Sequence, residues 1–151
     1  MSERIWKPNV TVAALIEDRG RFLLVEEHTS DGLMLNQPAG HLEEGESLVE
    51  ACVREAMEET AHPFTPRELV GIYQWRRPDG EVTYLRFAFA GDAGEAIAGR
   101  VLDEGIVRAV WMTPQEIEAS RQRHRSRLVW ACVQDWQAGI RLPLSALRHF
   151  G

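Results

Sequence analysis

Glu55, Glu58 and Glu59 are spaced i, i+3 and i+4. On a helix that spacing gathers three carboxylates on one face. At about 100° per residue, Glu59 lies about 40° to one side of Glu55 and Glu58 about 60° to the other. Three like charges so placed repel one another. Arg54 can offset Glu58 one turn on and can also meet Glu50 one turn back, yet one cation does not neutralise the group. A divalent cation would. Oxygen donors with no adjacent thiol or imidazole pair suit Mg²⁺, with Mn²⁺ as a substitute, rather than Zn²⁺. Taken alone, the trio also fits a plain solvated helix face.

The neighbouring residues supply the helix that such chemistry needs. Ser47 is a candidate N-cap with Glu50 three residues on, the pattern of a capping box. Val49, Cys52, Val53, Ala56 and Met57 form a separate apolar arc that can dock on a sheet, leaving the carboxylates at its flank. Upstream, Pro38-Ala39-Gly40 turns the chain into an acidic loop.

The wider spacing resembles a known motif. Gly40, five residues, Glu46, seven residues and then Arg54-Glu55-Ala56-Met57-Glu58-Glu59-Thr60-Ala61-His62 is similar to the Nudix box, and all its fixed Gly, Glu and Arg positions match. Three positions depart. Ala56 is small where an aliphatic side chain is usual, Ala61 replaces the last Gly, and His62 replaces an aliphatic residue. A Gly there would end the helix in a left-handed conformation, so Ala61 either costs about 1 kcal/mol or shifts the cap. Asn36 to Leu42, Tyr73-Gln74-Trp75 with Pro78-Asp79, Leu85-Arg86-Phe87 and Pro143-Leu144 resemble a bacterial group within that family, the NudJ-type phosphatases. A Trp usual in that group before Asn36 is Leu35 here.

The resemblance implies a fold, a reaction and roles. The fold would be an α/β (α+β) Nudix-like α/β/α sandwich with a mixed sheet, the box helix and a C-terminal helix. The reaction would be hydrolysis of nucleoside tri- and diphosphates or related pyrophosphates, hydroxymethylpyrimidine pyrophosphate among them. Glu55, Glu58 and Glu59 would hold the metal and one would orient the attacking water. The Gly40 carbonyl would join the metal shell, and Arg54 would orient the glutamates. Glu46 would tie the loop to the helix, or be a simple surface residue. A further carboxylate from a late loop is expected; Glu104 is the first candidate, with Asp103 behind it. A Nudix-fold module that binds a nucleotide or nucleoside diphosphate sugar without turnover is the alternative, although such modules usually lose box glutamates. RNA decapping fits poorly with an acidic chain that lacks a basic-aromatic surface.

Composition agrees. The 151 residues suit one domain spanning 1–151. A hydrophobic content of 44% and a charged content of 26% are ordinary for a globular protein. The net charge of −6 argues against a nucleic-acid partner and leaves a small-molecule one. Cys52 and Cys132 are too few and too distant for a disulfide framework or zinc site, and Cys52 reads as core. With no membrane-length apolar run and no signal-peptide core near the start, the expectation is a cytoplasmic monomer or homodimer.

Apolar and alternating runs predict strands at 10–16 and 21–27, read as a hairpin, and a short one at 33–36. A second hairpin is expected from 69–76 and 82–90 around Arg77-Pro78-Asp79-Gly80, followed by a strand at 106–112. Thr113-Pro114 begins a two-turn helix through Ala119, and 126–137 reads as the last helix. On the substrate side, Arg86 either meets a phosphate or faces outward from a half-exposed strand. Gln37 and Gln74 could read a base edge. Trp75 could stack on a ring or lie in the core. The basic residues at 121–127 collect anions or merely solvate a helix start.

Overall fold

Apolar alternation on the strands gives two packed faces, and each takes a helix. The computed structural model describes residues 3–151. Strand β1 (Asn9–Asp18) sends Val12, Ala14 and Ile16 to one face, where they pack with Ala51, Cys52 and Ala56 of helix α1 (Leu48–Thr60). Leu15, on the opposite face, belongs to a second cluster with Cys132 and Val133 of helix α3 (Leu128–Gln137) and Ile117 of the short helix α2 (Pro114–Ala119). The arrangement is therefore helix, sheet, helix. Cys52 and Cys132 are free and buried, as expected of core thiols.

The other strands are β2 (Arg21–Thr29), β3 (Gly32–Asn36), β4 (Ala39–His41), β5 (Phe64–Arg76), β6 (Thr83–Ala93), β7 (Ile106–Met112) and β8 (Leu142–Pro143). Their main order is β3-β2-β1-β6-β5-β8, with β4 on β1 and β7 on β2. The expected 10–27 hairpin is only partly formed. β1 and β2 pair through Glu17↔Phe22 and Asp18↔Arg21 alone. Beyond that point β1 leaves for a long parallel pairing with β6, and β2 takes β3 and β7. Turn chemistry can signal the hairpin, but not that each strand finds better partners elsewhere. The second hairpin, β5 with β6, is antiparallel throughout as expected, although β5 starts at Phe64 rather than Leu69. Ala39 and Gly40, read as part of a turn at Pro38-Ala39-Gly40, lie with His41 in a short strand against β1.

Caps agree closely with the sequence. Ser47 Oγ accepts from Glu50 N and the Glu50 side chain from Ser47 N, and Thr113 with Glu116 repeats the motif. At the other end of α1, Ala61 does not shift the cap. It adopts the left-handed conformation itself, at φ 62°, and donates to the Met57 carbonyl.

Candidate active site

The capping box sets where α1 begins, and hence which residues reach β4. Glu55 and Glu59 lie beneath that strand and are 9% exposed each. Ala39 N donates to Glu59 Oε1 at 2.8 Å. Gly40 has no side chain because the Glu55 carboxylate fills that space: a Cβ there would lie 2.2 Å from Glu55 Cδ. Arg54 holds the outer edge. It forms a bidentate pair with Glu46 at 2.7 and 3.0 Å and donates to Glu55 at 2.7 Å, to Glu58 at 3.2 Å and to the His41 carbonyl at 3.0 Å. Glu46 therefore ties the loop to the helix. It takes the role toward Arg54 that sequence spacing offered to Glu50, which is used instead in the N-cap.

One carboxylate comes from outside the helix. Glu55, Glu58 and Asp103 offer oxygens within 4.8 Å of one another, a metal-sized grouping. Asp103 is brought there by its own backbone N–H, which donates to the Glu58 carbonyl at 2.9 Å. Glu104, the first candidate from the sequence, is exposed and is not part of this grouping. Two adjacent acidic residues in a loop look alike in sequence, and only the backbone bond selects between them.

The charges in this cluster oppose one another. Burial pushes the Glu55 carboxyl up; Arg54 offsets part of this, and Glu58 and Asp103 add to it. Burial pushes Glu59 up to about 8, opposed by the Ala39 N–H and reinforced by Glu55, Glu27 and Asp103. Glu46 is lowered, chiefly by its bond to Arg54. Packed carboxylates that resist ionising, with hard oxygen donors and one arginine at the edge, are what a divalent cation would stabilise.

Beside Gly40 opens a cavity of about 400 Å³. Arg86, Trp75, Tyr84 and Asn36 line it. Arg86 is buried, not on a half-exposed strand, and donates to Gln37 Oε1 and Asn36 Oδ1 at 2.9 Å each. Gln37 is not placed to read a base. It is 1% exposed and spans from Arg86 to the Val129 carbonyl, which it meets at 2.8 Å. Gln74 is exposed, alternates with Tyr73 and Trp75 along β5, and does not line the cavity. Trp75 does, stacked on its cross-strand partner Tyr84 at 5.9 Å. Sequence reading passed over Tyr84, although the hairpin turn could have paired it with Trp75. Leu35 is a core residue and does not line the cavity. Of the basic cluster, Arg123 and Arg125 pair with Glu26 and Glu27 on β2.

Comparison with known proteins settles the family. A NUDIX domain model matches residues 6–131. The chain belongs to the Nudix family. It is 39% identical over 147 residues to the phosphatase NudJ of Escherichia coli K12, covering 97% of this chain and 94% of that one. A NUDIX hydrolase from Nitrosomonas europaea is 50% identical, with a TM-score of 0.93 over 95% of this chain and 98% of that one. The E. coli ORF135 protein is 27% identical, with a TM-score of 0.69 over 87% and 90% of the two chains. This Nudix hydrolase thus has the α/β/α sandwich and mixed sheet that the box resemblance implied.

Proposed function

We propose that this Nudix hydrolase is Mg²⁺-dependent and cleaves phosphoanhydride bonds in nucleoside tri- and diphosphates or related small pyrophosphates, hydroxymethylpyrimidine pyrophosphate included. The observation that carries the reading is the Glu55–Glu58–Asp103 grouping beside Gly40, where a buried, a half-buried and an exposed carboxylate converge next to a cavity lined by a buried arginine. The likeness to the phosphatase NudJ supports it.

Anhydrides of phosphate resist hydrolysis because their charge repels nucleophiles. A divalent ion held there would neutralise phosphate oxygens and lower the pKa of a bound water. Mn²⁺ would serve as a substitute. Glu55, Glu58 and Asp103 would hold the ion, with the Gly40 carbonyl close by. Glu59, anchored on Ala39 N, is poised to orient or deprotonate water from the same face. Arg54 works by positioning: it fixes Glu55 and Glu58 relative to the loop through Glu46.

The test is phosphate and pyrophosphate release, with Mg²⁺ and with EDTA. The panel holds nucleoside tri- and diphosphates, nucleoside diphosphate sugars, dinucleoside polyphosphates and hydroxymethylpyrimidine pyrophosphate. Metal-dependent turnover of a mononucleotide or of the pyrimidine pyrophosphate is the expected result. Silence across the panel, with ligands still raising the melting temperature, would overturn it in favour of a non-hydrolysing nucleotide sensor.

A further inference from the structure

Arg86 is a buried cation whose partners are all neutral. It is 6% exposed. Its guanidinium donates to the Gln37 and Asn36 amide oxygens and, at 3.9 Å, to Cys132 Sγ. Among the described residues no carboxylate lies within the 4.0 Å of an ion pair. Other arginines at this cavity are different: Arg77 pairs with Asp79 and Arg125 with Glu27. A buried charge without a counter-ion is strongly unfavourable unless a ligand completes it. A guanidinium has five N–H donors, so those beyond the three engaged ones remain for an acceptor in the cavity that Arg86 lines. Gln37, locked on the Val129 carbonyl, fixes the group in place. The site is therefore built for an anion.

The register supplies the rest. Tyr84 lies two residues from Arg86 on β6 and so shares its face. With Trp75 it makes a flat aromatic wall, their rings within 16° of parallel. In the other direction Arg86 is opposite Thr11, which is opposite His41 on β4. Two strand spacings, about 10 Å, thus separate the Arg86 backbone from the strand where Gly40 meets Glu55. The same cavity is lined by Ala39 and Gly40, the residues of β4 that Glu59 and Glu55 adjoin.

We infer that this cavity is a metal-independent phosphate subsite, in which Arg86 holds a phosphate of the substrate while a planar ring attached to that phosphate rests on the Trp75–Tyr84 wall. This deepens the hydrolase reading and rests on it for the word substrate, but the anion binding itself does not. The substrate class is a single aromatic heterocycle or nucleoside bearing phosphate, sized to a cavity of about 400 Å³.

The probes are uridine monophosphate and ribose 5-phosphate, which differ only by the base and contain no anhydride to cleave. Calorimetric titration in EDTA should show both binding to the full chain, the nucleotide at least about tenfold tighter, as base stacking on an aromatic platform provides. Arg86→Gln should weaken both by about tenfold or more; Trp75→Ala should weaken the nucleotide alone. Glu58→Gln, which removes turnover, should leave both affinities intact. In the wild type, the Asn36 and Gln37 side-chain amide resonances should shift on adding ribose 5-phosphate, a readout that does not depend on a folded Arg86 variant. No binding in EDTA, unmoved amide resonances, or an Arg86→Gln protein that binds as the wild type does would each overturn the subsite. Equal affinity for the two probes would overturn the ring assignment. Retained turnover in Glu58→Gln would instead strike the metal assignment and leave the phosphate subsite standing.

Discussion

The Cα of Gly40 and the carboxylate of Glu55 occupy adjoining space so tightly that a methyl group on Gly40 would lie 2.2 Å from Glu55 Cδ and Oε1. Glycine is required here for close approach, not for an unusual backbone angle, since Gly40 is not among the positive-φ glycines. Gly40→Ala should displace Glu55, distorting the carboxylate grouping while the β4–β1 pairing persists. The expected loss is about two orders of magnitude in kcat/KM, the scale of a misplaced catalytic contact, with a native far-ultraviolet circular dichroism spectrum. Near-wild-type turnover would show that Glu55 can be moved without consequence.

Asp103 and Glu104 are neighbours with different surroundings. Asp103→Asn should weaken Mg²⁺ binding and lower kcat by about tenfold or more, whereas Glu104→Gln should change neither. Glu58→Gln and Glu59→Gln should each lower kcat by about two to three orders of magnitude, as removal of a transition-state contact does. Metal titration of turnover in the four variants separates them. A larger defect in Glu104→Gln than in Asp103→Asn would reverse the assignment.

Glu26 ties β2 to β7 and to the segment that follows α2. It is buried on β2 between Arg108 of β7 and Arg123. Burial raises its carboxyl, but the two arginine hydrogen bonds and their charges outweigh that, and the net shift is downward. A lowered folded-state value means that the stabilisation is complete above the ordinary carboxylate range and is lost as pH falls through the folded-state value. Glu26→Gln should therefore cost about 1–3 kcal/mol at pH 7, below the range for a fully buried pair because both arginines are partly exposed. The gap between variant and wild type should narrow between pH 7 and about 3, since loss begins as the pH falls below the ordinary carboxylate range and completes only below the lowered folded-state value. Denaturant melts at the two pH values test this; a gap independent of pH would show that charge is not its source.

Ala61 sits in the left-handed region at φ 62° with its backbone N–H satisfied by Met57. A side chain with a Cβ is strained there by about 1–2 kcal/mol. Ala61→Gly should raise stability by about 1 kcal/mol net of the extra freedom glycine gives the unfolded chain. For a chain of this length that is an increase of about 2–4 °C in Tm. A lower Tm would mean that the buried Ala61 methyl contributes more to packing than its strain costs.

Sequence alone determined the parts of this protein that depend on near neighbours. Ser47 with Glu50, Glu55 with Glu58 and Glu59, and the turn at Arg77-Pro78-Asp79-Gly80 all work within a few residues, so spacing was enough to place the helix, its acidic face and the second hairpin. The Nudix box was legible for the same reason. Tertiary structure decided what depends on distant contacts. It brought Asp103 rather than Glu104 to the cluster through one bond to the Glu58 carbonyl. It turned Gln37 from a possible reader of bases into the brace of Arg86, by setting it against Val129, which lies 92 residues away. It gave most of β1 to β6 rather than to its hairpin neighbour β2. Local hydrogen bonds and side-chain periodicity are written in consecutive residues. The burial of Arg86, and with it the demand for an anion, exists only once β6, the segment carrying Asn36 and Gln37, and helix α3 have closed around it.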